Sequence, residues 1–109
     1  MIELKPDDRV LILSLAGLEF LRELADRLPD GLLVGIGTPD EVAAARRALA
    51  AAENVMFHSA SPEEIPWRDA YFTVVLSPGP PEGLAEDEIR RVLAPDGKLI
   101  TPIPPLDPS

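Results

Sequence analysis

The sequence predicts an α/β domain of three layers, with five mainly parallel strands covered by helices. Three observations predict it. Short aliphatic runs alternate along the chain with amphipathic stretches of helical period. The runs are nearly continuous rather than alternating, as expected of strands buried on both faces. A length of 109 residues allows one core and no second one, so residues 1–109 read as a single domain. Strands that alternate with helices pair in parallel through right-handed crossovers.

Each element has its own warrant. Arg9–Leu15 (RVLILSL) reads as the first strand, and Gly17 breaks it. Leu18–Leu28 follows as a helix, with Leu18, Leu21, Leu24, Ala25 and Leu28 on one face and Arg22, Glu23, Asp26 and Arg27 on the other. Pro29-Asp30-Gly31 turns the chain into a second strand, Leu32–Ile36. Thr38-Pro39-Asp40-Glu41 opens the next helix. Threonine caps, proline suits the first helical position, glutamate three residues on closes a capping box, and acids favour the positive end of the helix dipole. Alanine-rich sequence propagates that helix, and Asn54 ends it. Val55–His58 is a third strand. Ser61-Pro62-Glu63-Glu64 starts a helical turn that Pro66 stops. Phe72–Leu76 is the fourth strand, Leu84–Leu93 a third helix, and Lys98–Ile103 a fifth strand after the turn Pro95-Asp96-Gly97.

Composition excludes several classes of function. Without cysteine there is no disulfide framework, thiolate metal site or cysteine nucleophile. A net charge of −9 argues against a nucleic-acid ligand. No apolar run is long enough to cross a membrane, and MIELKPDDRV is not a signal-peptide pattern, so a cytoplasmic location is expected. The excess of arginine over lysine and the many alanines fit a GC-rich bacterial genome.

Two segments carry a family resemblance. NVMFHSASPEEIPWRDAYFTVVLS (54–77) and EIRRVLAPDGKLI (88–100) resemble the third-to-fourth-strand block and the helix-turn-strand ending of the class I S-adenosylmethionine-dependent methyltransferases. Within that Rossmann-like superfamily the chain is similar to the small-molecule (type 11-like) group. The resemblance covers about residues 8–103. It implies strand order 3-2-1-4-5, without the usual last two strands, and a ligand crevice at the carboxyl ends of the first, second and fourth strands.

The positions that the resemblance assigns to the cofactor are altered. The strand acid of the first motif falls at Ile12, and its glycine positions hold Ser14 and Ala16, with Gly17 beside them. The acid that holds the ribose hydroxyls falls at Gly37, the adenine acid at Ser61, and the acid opening the fourth strand at Thr73. Losing a bidentate ribose carboxylate weakens binding by roughly two to four powers of ten. The expectation is therefore a degenerate site with no S-adenosylmethionine, no metal and no catalytic residue. Its vestigial crevice positions are Ser14, Ala16, Gly17, Gly37, Ser61 and Ser77. On this reading the domain is a protein-interaction or regulatory module. It works as a homodimer, or with a protein partner, through a fifth-strand edge at Leu99, Ile100 and Ile103, where Pro102, Pro104 and Pro105 are the competing means of blunting that edge. The alternative is an active methyltransferase using S-adenosylmethionine in an atypical site, or in one completed by another subunit.

The remaining candidates read as structural. His58, the single histidine, lacks an evident partner, and Trp67 is a packing residue. Asp7-Asp8 and Glu86-Asp87-Glu88 precede predicted elements and read as solvated acids. Arg46-Arg47 and Arg90-Arg91 read as solvated helix faces.

Overall fold

The computed structural model describes residues 3–15, 17–78, 86–101 and 103. Five parallel strands form one sheet in the order β3-β2-β1-β4-β5, as expected. They are β1 (Arg9–Ile12), β2 (Leu32–Gly37), β3 (Val55–Ser59), β4 (Phe72–Leu76) and β5 (Leu93–Ile100). The helices are α1 (Leu18–Asp26), α2 (Pro39–Ala48) and α3 (Glu86–Val92). Ala16, the segment 79–85 and Pro102 lie outside the described residues.

Alternation along the buried strands feeds two cores. Val10, Ile12, Leu33, Val74 and Leu76 point to the side covered by α1 and α2, where they meet Leu21, Leu24, Val42 and Ala45. Leu11, Val34, Ile36, Phe72 and Val75 point to the other side, against Ile65, Ile89 and Val92. Neighbouring residues in one strand thus serve opposite layers, which is why the strands show no polar face.

α2 begins as the sequence predicts. Thr38 accepts from the Glu41 amide at 3.2 Å, and the Glu41 carboxylate accepts from the Thr38 amide at 2.9 Å. Asn54 has a different role from the expected one. It lies six residues past the end of α2, where its Nδ2 donates to the carbonyls of Ala25 and Leu28, both at 2.8 Å, and so caps α1. The predicted turn at 61–64 forms as a turn, with Glu64 N donating to Ser61 O at 3.1 Å.

Two helix-face expectations are corrected. Arg91 is no solvated side chain: its guanidinium donates to the carbonyls of Ile65 and Trp67 at 2.8 Å each, and pairs with Glu88 and Asp69 at 2.6 Å. Glu88 also accepts from the Ile65 amide at 3.1 Å, so α3 clamps the β3–β4 connection through both residues. The Arg91 hydrogen bond holds the Glu88 carboxyl below its ordinary range, and Glu88 in turn raises Arg91. Asp8 is likewise occupied. It accepts from Thr73 Oγ1 at 2.9 Å and from the Lys5 amide at 2.7 Å, at the end of the sheet where β1 begins.

β5 differs from expectation at its start. It pairs with β4 at Leu93, loses register through Ala94–Gly97, and resumes at Lys98–Ile100. The Pro-Asp-Gly turn is therefore a bulge within the strand rather than its lead-in. β5 occupies one end of the sheet. Ile100 and Ile103 pack against the first core, while Leu99 is exposed.

Candidate functional site

Chain direction places the site. From β1 the chain steps through β2 to β3 on one side, then returns to lay β4 against the other side of β1. The strand order reverses between β1 and β4, and the carboxyl ends of these strands are where an open α/β sheet takes its ligand, so the crevice is placed there. Backbone bonds line up its floor: Leu13 N donates to Leu76 O at 2.9 Å, Ala60 N to Gly37 O at 3.2 Å, and Ser77 N to Ile100 O at 3.0 Å.

Most of the residues singled out by sequence come to this end of the sheet. Ser14 is half-buried just past β1, Gly17 is the N-cap of α1, Gly37 closes β2, and Ser77 is buried one residue past β4. Ser61 is exposed in the loop after β3. Ala16 lies outside the described residues.

Gly17 has φ +77°, a left-handed conformation that L side chains rarely adopt. Among the described residues, an added Cβ there would meet only Phe20 Cβ, at 3.7 Å. Among the described residues no side chain caps α1, which leaves its first-turn amides as donors at this end of the sheet. The residues behind are apolar and buried: Ile12, Leu15 and Leu76 are all core, and Leu15 lies over β2 so closely that a Cβ on Gly35 would come within 2.5 Å of its Cδ2.

The missing acids look different once placed. Thr73 stands where β4 begins, hydrogen-bonded to Asp8 and to the Arg9 amide, at the end of the sheet opposite the crevice. An acid there has no bearing on a crevice ligand. Gly37 is at the crevice, but a carboxylate is already beside it: a Cβ on Gly37 would fall 2.9 Å from Glu41 Oε1. Ile12 is core. Sequence reading treated Glu41 only as a helix cap, although the same capping box that identifies it also fixes its carboxylate at the end of β2.

His58 and Trp67 form a tilted ring pair with centroids 5.5 Å apart, and the buried atoms His58 Nε2 and Trp67 Nε1 have no hydrogen-bond partner among the described residues. Trp67 packs on the second core, as expected of a packing residue. Two described hollows lie elsewhere. One of about 290 Å³ runs along β3 past Arg46 and Met56, and one of about 400 Å³ sits among Lys5, Asp7, Asp8 and Lys98 at the far end of the sheet.

A family model described as "Methyltransferase domain" matches residues 16–101. The chain belongs to this methyltransferase family. It is a member of the class I S-adenosylmethionine-dependent methyltransferase superfamily, and its sheet order is the one that resemblance implied. Solved structures agree. A SAM-dependent methyltransferase from Aquifex aeolicus superposes with TM-score 0.75 at 23% identity, covering 89% of this chain and 56% of that one. The YcgJ protein from Bacillus subtilis gives TM-score 0.69 at 25% identity, over 89% of this chain and 44% of its own. The [4+2]-cyclase SpnF gives 0.69 at 24% identity, over 88% and 38%. The methyltransferase domain thus spans about half the length of these relatives, or less. No curated protein matches it.

These findings overturn the expectation that no cofactor is involved: the family and its SAM-dependent neighbour point to S-adenosylmethionine. The physical reason is in the placement of residues. The expectation rested on side-chain acids at family positions, whereas this end of the sheet presents backbone at Gly17 and α1 and has the Glu41 carboxylate 2.9 Å from where a Cβ on residue 37 would stand. The residues present therefore fit a ligand with an anionic end and a polar nucleoside end.

Proposed function

We propose that this methyltransferase domain binds S-adenosylmethionine in the crevice at the carboxyl ends of β1, β2 and β4 and serves transfer of its methyl group to a small-molecule acceptor. The observation that carries the reading is Gly17: a left-handed N-cap that, among the described residues, is unobstructed and without a side-chain cap, in the connection from β1 to α1 of a chain matched by the family over residues 16–101. When bound, S-adenosylmethionine supplies a sulfonium-activated methyl group. The chain supplies binding and orientation. First-turn amides of α1 suit the carboxylate of an amino-acid tail. Ile12, Leu15 and Leu76 exclude water beneath it. Holding donor and acceptor in line is the main demand of a methyl transfer, because orientation supplies much of such a rate enhancement.

Titration calorimetry of the full chain with S-adenosylmethionine and S-adenosylhomocysteine tests this. Saturable binding is expected, with a rise in melting temperature reflecting about 2.7 kcal/mol at a hundredfold excess over Kd. Neither heat nor a melting shift at millimolar ligand would refute it. An acceptor site completed by a second copy at the β5 edge, beside exposed Leu99, belongs to the same reading. Light scattering that finds only monomer at high concentration would remove that part.

A further inference from the structure

We propose that Glu41 takes the place of the missing acid at position 37 and accepts the vicinal ribose hydroxyls of the cofactor. The proposal rests on the crevice reading above and names the residue that reads the nucleoside. Gly37 ends β2, and a side chain there would start 2.9 Å from Glu41 Oε1 and 3.1 Å from Leu15 Cδ1. The space that a side chain on residue 37 would enter is thus already held by a carboxylate from the first turn of α2. That carboxylate is positioned rather than free to swing. Its Oε1 accepts from the Thr38 amide at 2.9 Å, while its own amide donates to Thr38 Oγ1 at 3.2 Å. The other oxygen, Oε2, has no hydrogen bond among the described residues, and the residue is exposed.

A carboxylate anchored through one oxygen and open at the other suits a hydroxyl pair, since ionised acceptors make the stronger hydrogen bonds. Glycine at 37 then has a physical purpose. A side chain at 37 would have to displace the Glu41 carboxylate and push Leu15 aside by a few tenths of an ångström, so glycine there leaves that carboxylate in its place. The ligand class is a nucleoside bearing a 2′,3′-diol.

The test compares wild type with E41Q in calorimetry against S-adenosylhomocysteine and its 2′-deoxy analogue. Glutamine keeps an acceptor for the Thr38 amide, so α2 stays capped, and a thermal melt confirms it. The expected result is a loss of about ten- to a hundredfold for S-adenosylhomocysteine in E41Q, with a much smaller loss for the deoxy analogue. Unchanged affinity of E41Q for S-adenosylhomocysteine overturns the assignment and leaves the crevice reading standing. Equal losses for both ligands also overturn it, because they mark a structural effect. Failure of the wild-type chain to bind either ligand overturns both proposals together.

Discussion

Replacing Gly31 by alanine should destabilise the domain by about 2–4 kcal/mol, although the residue lies in a surface turn where alanine is normally harmless. An alanine Cβ at this position would lie 2.1 Å from the carbonyl oxygen of Asp8, far inside the 3.0 Å below which such contacts essentially do not occur. The obstacle is backbone, so no side-chain rotation relieves it. Residues 30–32 or the lead-in to β1 must move apart, and two bonds join them: Asp30 N to Pro6 O at 3.0 Å and Leu32 N to Asp8 O at 3.2 Å. Losing both costs about 0.5–1.5 kcal/mol each. The forced displacement adds about 1–3 kcal/mol. Against this stands an entropic gain of about 0.4–1 kcal/mol from restricting the unfolded chain. Urea unfolding followed by circular dichroism measures the difference, which corresponds to a fall of roughly 8–16 °C in Tm. Gly17→Ala is the control: among the described residues nothing crowds a Cβ there, and the left-handed φ opposes alanine by about 1–2 kcal/mol. A G31A domain within about 0.5 kcal/mol of wild type, or more stable than it, would refute the close approach of the two segments.

Other perturbations test separate parts of the molecule. Asn54→Ala removes the side chain that bonds the Ala25 and Leu28 carbonyls, and should cost about 1–3 kcal/mol in urea unfolding, although it touches no ligand. Glu88 has a depressed pKa because of Arg91, so its stabilising effect is complete above the ordinary carboxylate range and is lost as pH falls through its lowered folded value. The advantage of wild type over E88Q, read as the urea midpoint at neutral pH and again near pH 3, should therefore shrink on acidification and also with added salt. An advantage that grew with acid would contradict the Arg91 clamp.

Much of the fold was legible because it rests on local signals and period. Aliphatic runs flanked by Gly, Pro and Asp placed all five strands, and β4 has the bounds that its β-branched and aromatic residues predict. The capping box at Thr38 and Glu41 formed as read. The misreadings share one cause, which is that the partner lies far along the chain. Asn54 is read naturally as the end of the helix before it, yet it serves a helix some 26–29 residues earlier. Arg91 has the sequence surroundings of a solvated helix face but reaches carbonyls 24 and 26 residues away. Thr73 looked like an erased site residue until the parallel sheet put it at the end opposite the crevice, bound to Asp8.

The sequence by itself determined the α/β class, the succession of elements and, through family likeness, the strand order. Those follow from periodicity, turn chemistry and the handedness of crossovers, all of which act over short stretches of chain. Only the tertiary structure decided which glycines face another backbone, because that depends on segments brought together from elsewhere. It also decided which carboxylate stands beside Gly37. An alignment column sees glycine at position 37 and records a loss. In space, the α2 cap sets a glutamate four residues later beside the point where the absent side chain would begin.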